Sequence, residues 1–102
     1  MTKVYISQPM RGISDSKIIV LREKLFEDFR SEHPDAVLID NIVPPNEALL
    51  QVKHPSVQML ARCIGKLADA DVVIFAKGWE KYPGCRVENY VARYYDIEMK
   101  YA

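Results

Sequence analysis

The feature that most constrains the fold is a short, almost wholly apolar run, DVVIFA, at residues 71–76. A run of this length suits a β-strand, and its lack of alternating polar residues indicates that both faces of the strand are covered. Strands of this kind occur in parallel sheets, where the crossover helices lie on both faces. We therefore expect strands and helices to alternate along the rest of the chain.

The remaining sequence shows that alternation. Strand composition is found in three further segments, residues 3–7, 36–40 and 97–101. Apolar residues recur at helical spacing in residues 15–31, 57–67 and 86–95. In the first of these helices, Ser14 or Asp15 can cap the start, and Ile18, Leu21, Leu25 and Phe29 form the predicted apolar face. The Pro-rich segment before the second helix is irregular, with one helical turn predicted at residues 46–50.

This pattern predicts an α/β fold with an open parallel sheet of the flavodoxin-like (Rossmann-like) kind, strand order 2-1-3-4 and helices on both faces. A chain of 102 residues fits a single domain, residues 1–102, and is too short for a barrel. In this order the chain continues from strand one toward one edge of the sheet and from strand three toward the other. Ligands bind at the carboxyl ends of the strands where the strand order reverses in this way. The loops that meet there are SQPMRG and KGWEKYPGCRVE.

Composition excludes several classes of partner. Lys plus Arg equals Asp plus Glu, 14 against 14, which argues against a nucleic-acid polymer and against a polybasic membrane surface. No apolar run is long enough to cross a bilayer, and the start, MTKVYISQ, lacks the apolar region of a secretory signal. The two cysteines, Cys63 and Cys85, have no metal-ligand spacing. We therefore expect a reduced, cytoplasmic protein without a metal site, in which both thiols are small, partly buried side chains.

The loop after strand one offers a candidate anion site. Arg11 and Gly12 stand just before a helix start, where backbone N–H groups and the helix dipole favour an anion and a guanidinium adds charge. The alternative is a turn glycine beside a solvated arginine.

In the loop after strand three, Trp79 is either a ring that stacks on a base or a hydrophobic residue that packs its own turn.

Glu88 is the sharpest single candidate. The predicted helix start places it in the first turn of the third helix, where the dipole would lower its pKa and keep it ionised. An ionised carboxylate that faces the crevice can act as a nucleophile on an electrophilic carbon. The alternative is a carboxylate that decorates the helix start and faces solvent or pairs with Arg86 or Lys81.

Four other carboxylates lie close to the predicted strand ends. Glu80 and Asp40 follow the third and second strands, so they are placed near the same crevice. Asp69 and Asp71 open the third strand and should lie at the opposite, amino end of the sheet.

The segments YISQPMRG and ADVVIFAKGWEKYPGCRVE, with the helix that follows, resemble the small nucleoside 2-deoxyribosyltransferase-like proteins of bacteria and phages over nearly the whole chain. The resemblance implies that Glu88 attacks C1′ of a sugar, that the base departs, and that water or a second base takes the sugar from a glycosyl-enzyme ester. It implies that the loop after strand one, opened by Tyr5, holds the sugar or its 5′-phosphate, and that Gly84 lies in the turn before the nucleophile. The substrate-binding residues implied by position and resemblance are Tyr5, Ser7, Gln8, Pro9, Met10, Arg11, Gly12, Lys77, Gly78, Trp79, Gly84 and Arg86.

Two departures keep a second function open. Many relatives have a glycine where this chain has Gln8, and no carboxylate stands between Met59 and Ala68, where related enzymes carry an aspartate and this chain has Cys63 or a neighbour. The chain is thus either an N-deoxyribosyltransferase or N-glycosidase, or a non-catalytic binder of a nucleotide-like small molecule. The resemblance further implies that the chemistry needs no cofactor and that the protein is a homo-oligomer with the second or third helix at its interface.

Overall fold

The computed structural model describes residues 1–42 and 51–102. The elements in chain order are β1 (Thr2–Ser7), α1 (Asp15–Arg30), β2 (Ala36–Leu38), α2 (Pro55–Leu67), β3 (Val72–Phe75), a 3-10 turn (Trp79–Lys81), α3 (Pro83–Tyr94) and β4 (Glu98–Tyr101). The helical turn predicted at residues 46–50 lies outside the described residues.

The four strands form one parallel sheet in the order β2-β1-β3-β4, which confirms the predicted topology. Val4 on β1 pairs with Leu38 on one side and with Val72 on the other, and Phe75 on β3 pairs with Tyr101 on β4. The carboxyl ends of β1 and β3 therefore lie side by side, at the point where the strand order reverses.

The sheet divides the apolar residues into two cores. On the face covered by α1, Phe29 packs with Val4, Ile6, Val72 and Ile74. On the other face, α2 and α3 contribute Leu67 and Ala92, which pack with Tyr5, Val73 and Phe75. Successive strand residues alternate between these cores, as the period of a strand requires. The burial predicted for residues 71–76 is confirmed for residues 72–76, whereas Asp71 is exposed and the strand begins at Val72.

β2 ends two residues earlier than the sequence pattern predicts. Ile39 still donates its backbone N–H to the Val4 carbonyl, at 2.8 Å. Beyond that bond, the carbonyls of Ile39 and Asp40 accept from side chains instead, namely those of Arg22 and Lys66. The chain therefore leaves the ladder at the carboxyl edge of the sheet.

α3 begins at Pro83, three residues earlier than predicted. Proline is favoured at the first position of a helix because its fixed φ suits that position and its missing N–H would have no partner there. The backbone N–H of Arg86 already bonds to the Tyr82 carbonyl. Glu88 is consequently the sixth residue of the helix, in its second turn, so its predicted position in the first turn is wrong.

The apolar face of α1 also differs from the prediction at one position. Leu21 is exposed, whereas Arg22 is buried on the same side as Ile18 and Phe29. Spacings of four and seven residues from Ile18 and Phe29 place Arg22 on the inward face of the helix. A charged residue therefore occupies a core position of this helix.

Among the described residues, no helix is both long enough and apolar enough to cross a membrane.

Candidate active site

The carboxylate of Glu88 is buried at the carboxyl end of the sheet, with 6% of the residue exposed. The Tyr5 hydroxyl donates to its Oε2 atom, and the Ser7 hydroxyl donates to its Oε1 atom at 2.8 Å. Each carboxylate oxygen therefore accepts one hydrogen bond from β1. The carboxylate faces neither Arg86 nor Lys81, so the helix-start alternative considered above does not describe it.

The two-residue period of a strand and the helical spacing of α3 bring these groups together. Tyr5 and Ser7 are two residues apart on β1, so both side chains point toward the face covered by α2 and α3. On α3 the buried residues Cys85, Glu88, Asn89 and Ala92 form an inward stripe at helical spacing. The stripe packs over the end of β1 and β3, and Glu88 is the member of the stripe that meets the two hydroxyls.

Burial raises the pKa of Glu88 above its usual value, and the hydrogen bonds from Tyr5 and Ser7 oppose that rise by stabilising the ionised form. The expectation that a helix dipole would lower this pKa is therefore wrong. The dipole acts within the first turn, and Glu88 lies beyond it. A carboxyl group with a raised pKa and two hydroxyl donors can serve as a base, or as a nucleophile once it has lost its proton.

The hydroxyl and thiol groups around Glu88 are held in their neutral forms. Burial and the charge of Glu88 raise the pKa of Tyr5, which keeps its hydroxyl a donor. Burial likewise raises the pKa of the Cys63 thiol, and it raises that of Cys85 to about 11. Because a thiolate rather than a thiol is the nucleophilic form, neither cysteine is activated for attack at neutral pH. The cysteines are small buried or half-buried side chains, as predicted.

Three further polar side chains are buried on α1 and in the segments that follow β1 and β2: Arg22, Gln8 and Asn41. Each is anchored by one hydrogen bond to a backbone carbonyl. Gln8 donates to Ile18, Arg22 donates to Ile39, and Asn41 donates to Ile6. Each also keeps one polar atom that has no hydrogen-bond partner among residues 1–42 and 51–102, namely Gln8 Oε1, Arg22 Nη1 and Asn41 Oδ1.

Sequence reasoning missed Arg22 and Asn41, although a signal for each exists. Arg22 stands four residues after Ile18 and seven before Phe29, so a polar residue occupies the apolar spacing of α1. Asn41 follows β2, just as the residues of the two predicted loops follow β1 and β3.

The predicted anion loop lies at the same edge of the sheet, on its surface. Arg11 is exposed and donates through Nη2 to the hydroxyl of Ser56, in the first turn of α2, at 3.1 Å. Gly12 has φ of 78°, and the turn is closed by a bond from Ile13 N–H to the Met10 carbonyl at 3.1 Å. A positive φ at this position favours glycine. Pro9 in the same loop is buried, and Met10 is half-buried.

The residues of the loop after β3 lie in two different environments. The Trp79 ring packs against Phe75 and Tyr101, with ring centroids 5.3 Å and 5.8 Å apart, so it covers the ends of β3 and β4. Gly78 has φ of 87° and precedes this turn. Lys77 borders a groove of about 510 Å³ on the opposite side, between α1 and β4, together with Lys100.

The other predicted residues of this loop lie on α3. Gly84 is half-buried within the first turn of the helix rather than in a turn before it, because the helix begins at Pro83. Arg86 is exposed in the next turn.

The other four candidate carboxylates are either bonded at the amino end of the sheet or exposed. Asp69 and Asp71 are bound to Lys3 at the amino end of the sheet, as the sequence predicts. Asp40 and Glu80 are exposed. Within the described ranges, no three His, Cys, Asp or Glu side chains come close enough to hold a metal ion.

Fold and site together define a Rossmann-like α/β protein with a buried carboxylate at the switch point of its sheet. A family model, a domain of unknown function designated DUF4406, matches residues 2–101, so the chain belongs to that family. No curated protein and no solved structure matches the chain.

Proposed function

We propose that the protein is an N-deoxyribosyltransferase or N-glycosidase that acts on nucleosides or nucleotides through a covalent glycosyl ester of Glu88. The observation that carries this proposal is the position of the Glu88 carboxylate, buried at the carboxyl end of β1 and β3 with Tyr5 and Ser7 each donating to one oxygen. A carboxylate that is dry, oriented and close to the crevice of a parallel sheet suits attack on a sugar carbon. The resemblance of the two loops to deoxyribosyltransferase-like proteins supports the same chemistry.

In the proposed first step, one oxygen of ionised Glu88 forms a bond to C1′ while the bond from C1′ to the base nitrogen breaks. The bonding electron pair leaves with the base, which then takes up a proton. The transition state resembles an oxocarbenium ion, and the adjacent carboxylate charge stabilises it before the ester forms. In the second step, water or the nitrogen of another base attacks C1′, loses a proton, and releases the Glu88 carboxylate.

Tyr5 and Ser7 are positioning residues in this scheme. Their hydrogen bonds fix the orientation of the carboxylate and lower the cost of ionising it in a buried place. Because burial raises the pKa of Glu88, the nucleophile is ionised over a pH range that begins higher than for an ordinary glutamate. Base release should therefore rise with pH through that raised pKa.

The second candidate function is a non-catalytic binder of a nucleotide-like molecule at the same edge. One observation favours it. No carboxylate occupies the segment of α2 from Met59 to Leu67, where Cys63 carries a thiol whose pKa burial raises.

The deciding experiment measures base release by chromatography from the four common deoxynucleosides and their monophosphates, with binding measured on the same ligands. Glu88→Gln keeps the size of the side chain and removes the anion, so we expect it to abolish release while binding survives. Glu98→Gln, at an exposed position on β4, is the matched control and should release base at the wild-type rate.

Three outcomes separate the candidates. Release that persists in Glu88→Gln contradicts the assigned nucleophile. Binding without release from the wild-type protein supports the binder. Neither binding nor release from any of these ligands contradicts both functions.

A further inference from the structure

Arg22, Asn41 and Gln8 are buried side chains that each keep one unpaired polar atom among the described residues, and we call them the edge-reading cluster. They come from three elements that converge at the carboxyl edge of the sheet: α1, the segment after β2, and the segment after β1. Arg22 and Gln8 are 5% exposed and Asn41 is 3% exposed, so solvent cannot satisfy their polar atoms. A buried polar atom without a partner costs free energy, and proteins rarely keep three in one place without a ligand or a water to bind them.

Each of the three side chains is bonded to a backbone segment that carries another member of the cluster. Gln8 bonds to the carbonyl of Ile18, one helical turn before Arg22 on α1, at 3.1 Å. Asn41 bonds to the carbonyl of Ile6, two residues before Gln8 on the same strand exit, at 3.1 Å.

Arg22 donates to the carbonyl of Ile39, two residues before Asn41. Tyr5 donates to Glu88, and the next residue on β1, Ile6, accepts from Asn41, so adjacent residues of β1 contact the carboxylate and the cluster.

The anchors also fix which atoms remain free. Asn41 and Gln8 both donate their amide nitrogens to carbonyl oxygens, so an exchange of amide nitrogen and oxygen would place two acceptors face to face. The free amide atoms are therefore acceptor oxygens. The free atom of Arg22 is a donor, because a guanidinium carries only donors. The cluster thus presents one charged donor and two neutral acceptors.

A ligand that satisfies this set must offer an acceptor next to N–H donors. A phosphate dianion fits poorly, because it would bring only acceptors against the oxygens of Asn41 and Gln8. The hydrogen-bonding edge of a nucleobase fits well, because a ring carbonyl lies beside a ring N–H or an amino group. Arginine binds such carbonyl oxygens, and asparagine and glutamine bind base edges through their amides.

We propose that Arg22, Asn41 and Gln8 bind the hydrogen-bonding edge of the ligand's base and select bases that place a carbonyl oxygen next to an N–H group. Arg22 donates to the carbonyl oxygen, and the amide oxygens of Asn41 and Gln8 accept from the N–H or amino group. The inference rests on the proposed function, because it assumes a nucleoside or nucleotide at Glu88. It separates the roles of the two arginines, since Arg11 is exposed and remains the candidate for a phosphate.

The test uses binding rather than turnover. Affinities of the wild-type protein, Arg22→Met and Arg30→Met are measured by calorimetry for deoxyuridine, deoxyinosine, their N3-methyl and N1-methyl derivatives, and 2-deoxyribose 5-phosphate. Arg30→Met is the matched control, because Arg30 lies exposed on the same helix and pairs only with Glu27 among its described partners. Thermal unfolding of Arg22→Met checks the fold, and we expect no loss of stability, since methionine removes a buried charge that lacks a full set of partners.

Arg22→Met should weaken binding of deoxyuridine and deoxyinosine by about 10- to 150-fold, the range for a hydrogen bond to a charged group, and leave 2-deoxyribose 5-phosphate unaffected. The N-methyl derivatives should bind the wild-type protein about tenfold more weakly than the parent nucleosides, because methylation removes the donor that the amide oxygens accept. The measurement with the N-methyl derivatives uses the wild-type protein, so it tests the inference even if Arg22→Met fails to fold.

Equal affinity of the wild-type protein and Arg22→Met for the nucleosides would overturn the inference while leaving the proposed function intact. A selective loss of 2-deoxyribose 5-phosphate in Arg22→Met would also overturn it, because the arginine would then bind phosphate. No nucleoside binding by the wild-type protein at all would overturn the proposed function and this inference together.

Discussion

The two ends of the parallel sheet differ in the burial and pairing of their polar groups. At the amino end, the charges are exposed and paired. The N-terminal amine lies 3.4 Å from Asp35, and the Lys3 ammonium lies 2.6 Å from Asp69. The backbone N–H of Lys3 adds a bond to Asp71. Exposed pairs of this kind contribute little to stability, and they leave no polar group in need of a ligand.

At the carboxyl end, the polar groups are buried and only partly satisfied. Glu88 has two hydroxyl donors, while Arg22, Asn41 and Gln8 each keep a free atom within the described part of the chain. Burial of incompletely bonded groups lowers stability, so such groups persist where a function requires them. The contrast teaches that the strand ends, rather than the overall charge, locate the candidate site of this protein.

The largest effect on activity, after loss of Glu88 itself, is expected from Tyr5→Phe. Removing one hydrogen bond to a buried carboxylate costs about 1.5–3 kcal/mol, which corresponds to a 10- to 150-fold fall in base release. The apparent pKa of Glu88 in the pH–rate profile should rise further, because Tyr5 lowers it in the wild-type protein.

Lys3→Met, at the amino end, is the matched change on the same strand. It removes the pair with Asp69 and should leave both the rate and its pH profile unchanged. A similar loss of activity in Lys3→Met and Tyr5→Phe would break the distinction between the two ends.

A smaller effect is expected at the surface of the carboxyl end, from Arg11→Ala. The Arg11 guanidinium is exposed beside the first turn of α2, so its contact with a phosphate is partly screened by solvent. We expect affinity for deoxynucleoside monophosphates to fall about tenfold and affinity for the unphosphorylated nucleosides to stay constant. Titration of both ligand sets into Arg11→Ala and Arg30→Ala checks this, and an unchanged monophosphate affinity would remove Arg11 from the site.

The raised pKa of Glu88 also makes a prediction about stability. Its folded form holds the proton more tightly than the unfolded chain, so its contribution to stability is complete below the usual glutamate pKa of 4.5 and is lost as pH rises through the folded pKa. Each unit by which the folded pKa exceeds the unfolded one corresponds to about 1.4 kcal/mol.

Urea unfolding of the wild-type protein and Glu88→Gln across this pH range isolates the effect, because titrating groups common to both proteins cancel. The wild-type protein should lose stability relative to Glu88→Gln as pH increases. A relative gain with increasing pH would show that the pKa is lowered instead.

The last prediction concerns self-association through the exposed side of α3. Tyr90 and Tyr94 stack on the exposed side of α3, with ring centroids 5.7 Å apart, and Val87 is exposed on the same helix. Exposed aromatic and aliphatic groups of this kind favour an interface. We expect light scattering at micromolar concentration to give the mass of a dimer or a larger homo-oligomer, and the double substitution Tyr90→Ser and Tyr94→Ser to give a monomer. A monomer mass for the wild-type protein would contradict this prediction.

Much of the fold could be predicted from the sequence, because hydrophobic periodicity reports which faces are buried. The apolar run at residues 71–76 predicted a central strand, and the strand order followed from the alternation of elements. The errors arose where one residue changed a boundary. Pro83 started α3 early, which moved Glu88 from the first turn to the second, and burial of the carboxylate raised a pKa that the helix dipole was expected to lower.

The site could be predicted only in part. Glu88, Tyr5 and Ser7 followed from their positions at the carboxyl ends of the strands and from the resemblance of the loops. Arg22 was missed because the buried face of α1 was identified from its apolar residues alone. A charged residue is not expected at such a buried position. The free atoms of the edge-reading cluster depend on side-chain hydrogen bonds between distant segments, which no local pattern reports.

The measurement that tests the central claim most directly is a chemical-shift titration of the isotope-labelled protein with deoxynucleoside monophosphates. If the carboxyl end of the sheet holds the ligand, the amide signals of Ser7, Gln8, Asn41 and Glu88 should shift in a saturable way, whether or not the base is released. The signals of Lys3, Asp35 and Asp69 at the amino end should stay in place. Shifts confined to the amino end, or to the groove between α1 and β4, would contradict the account.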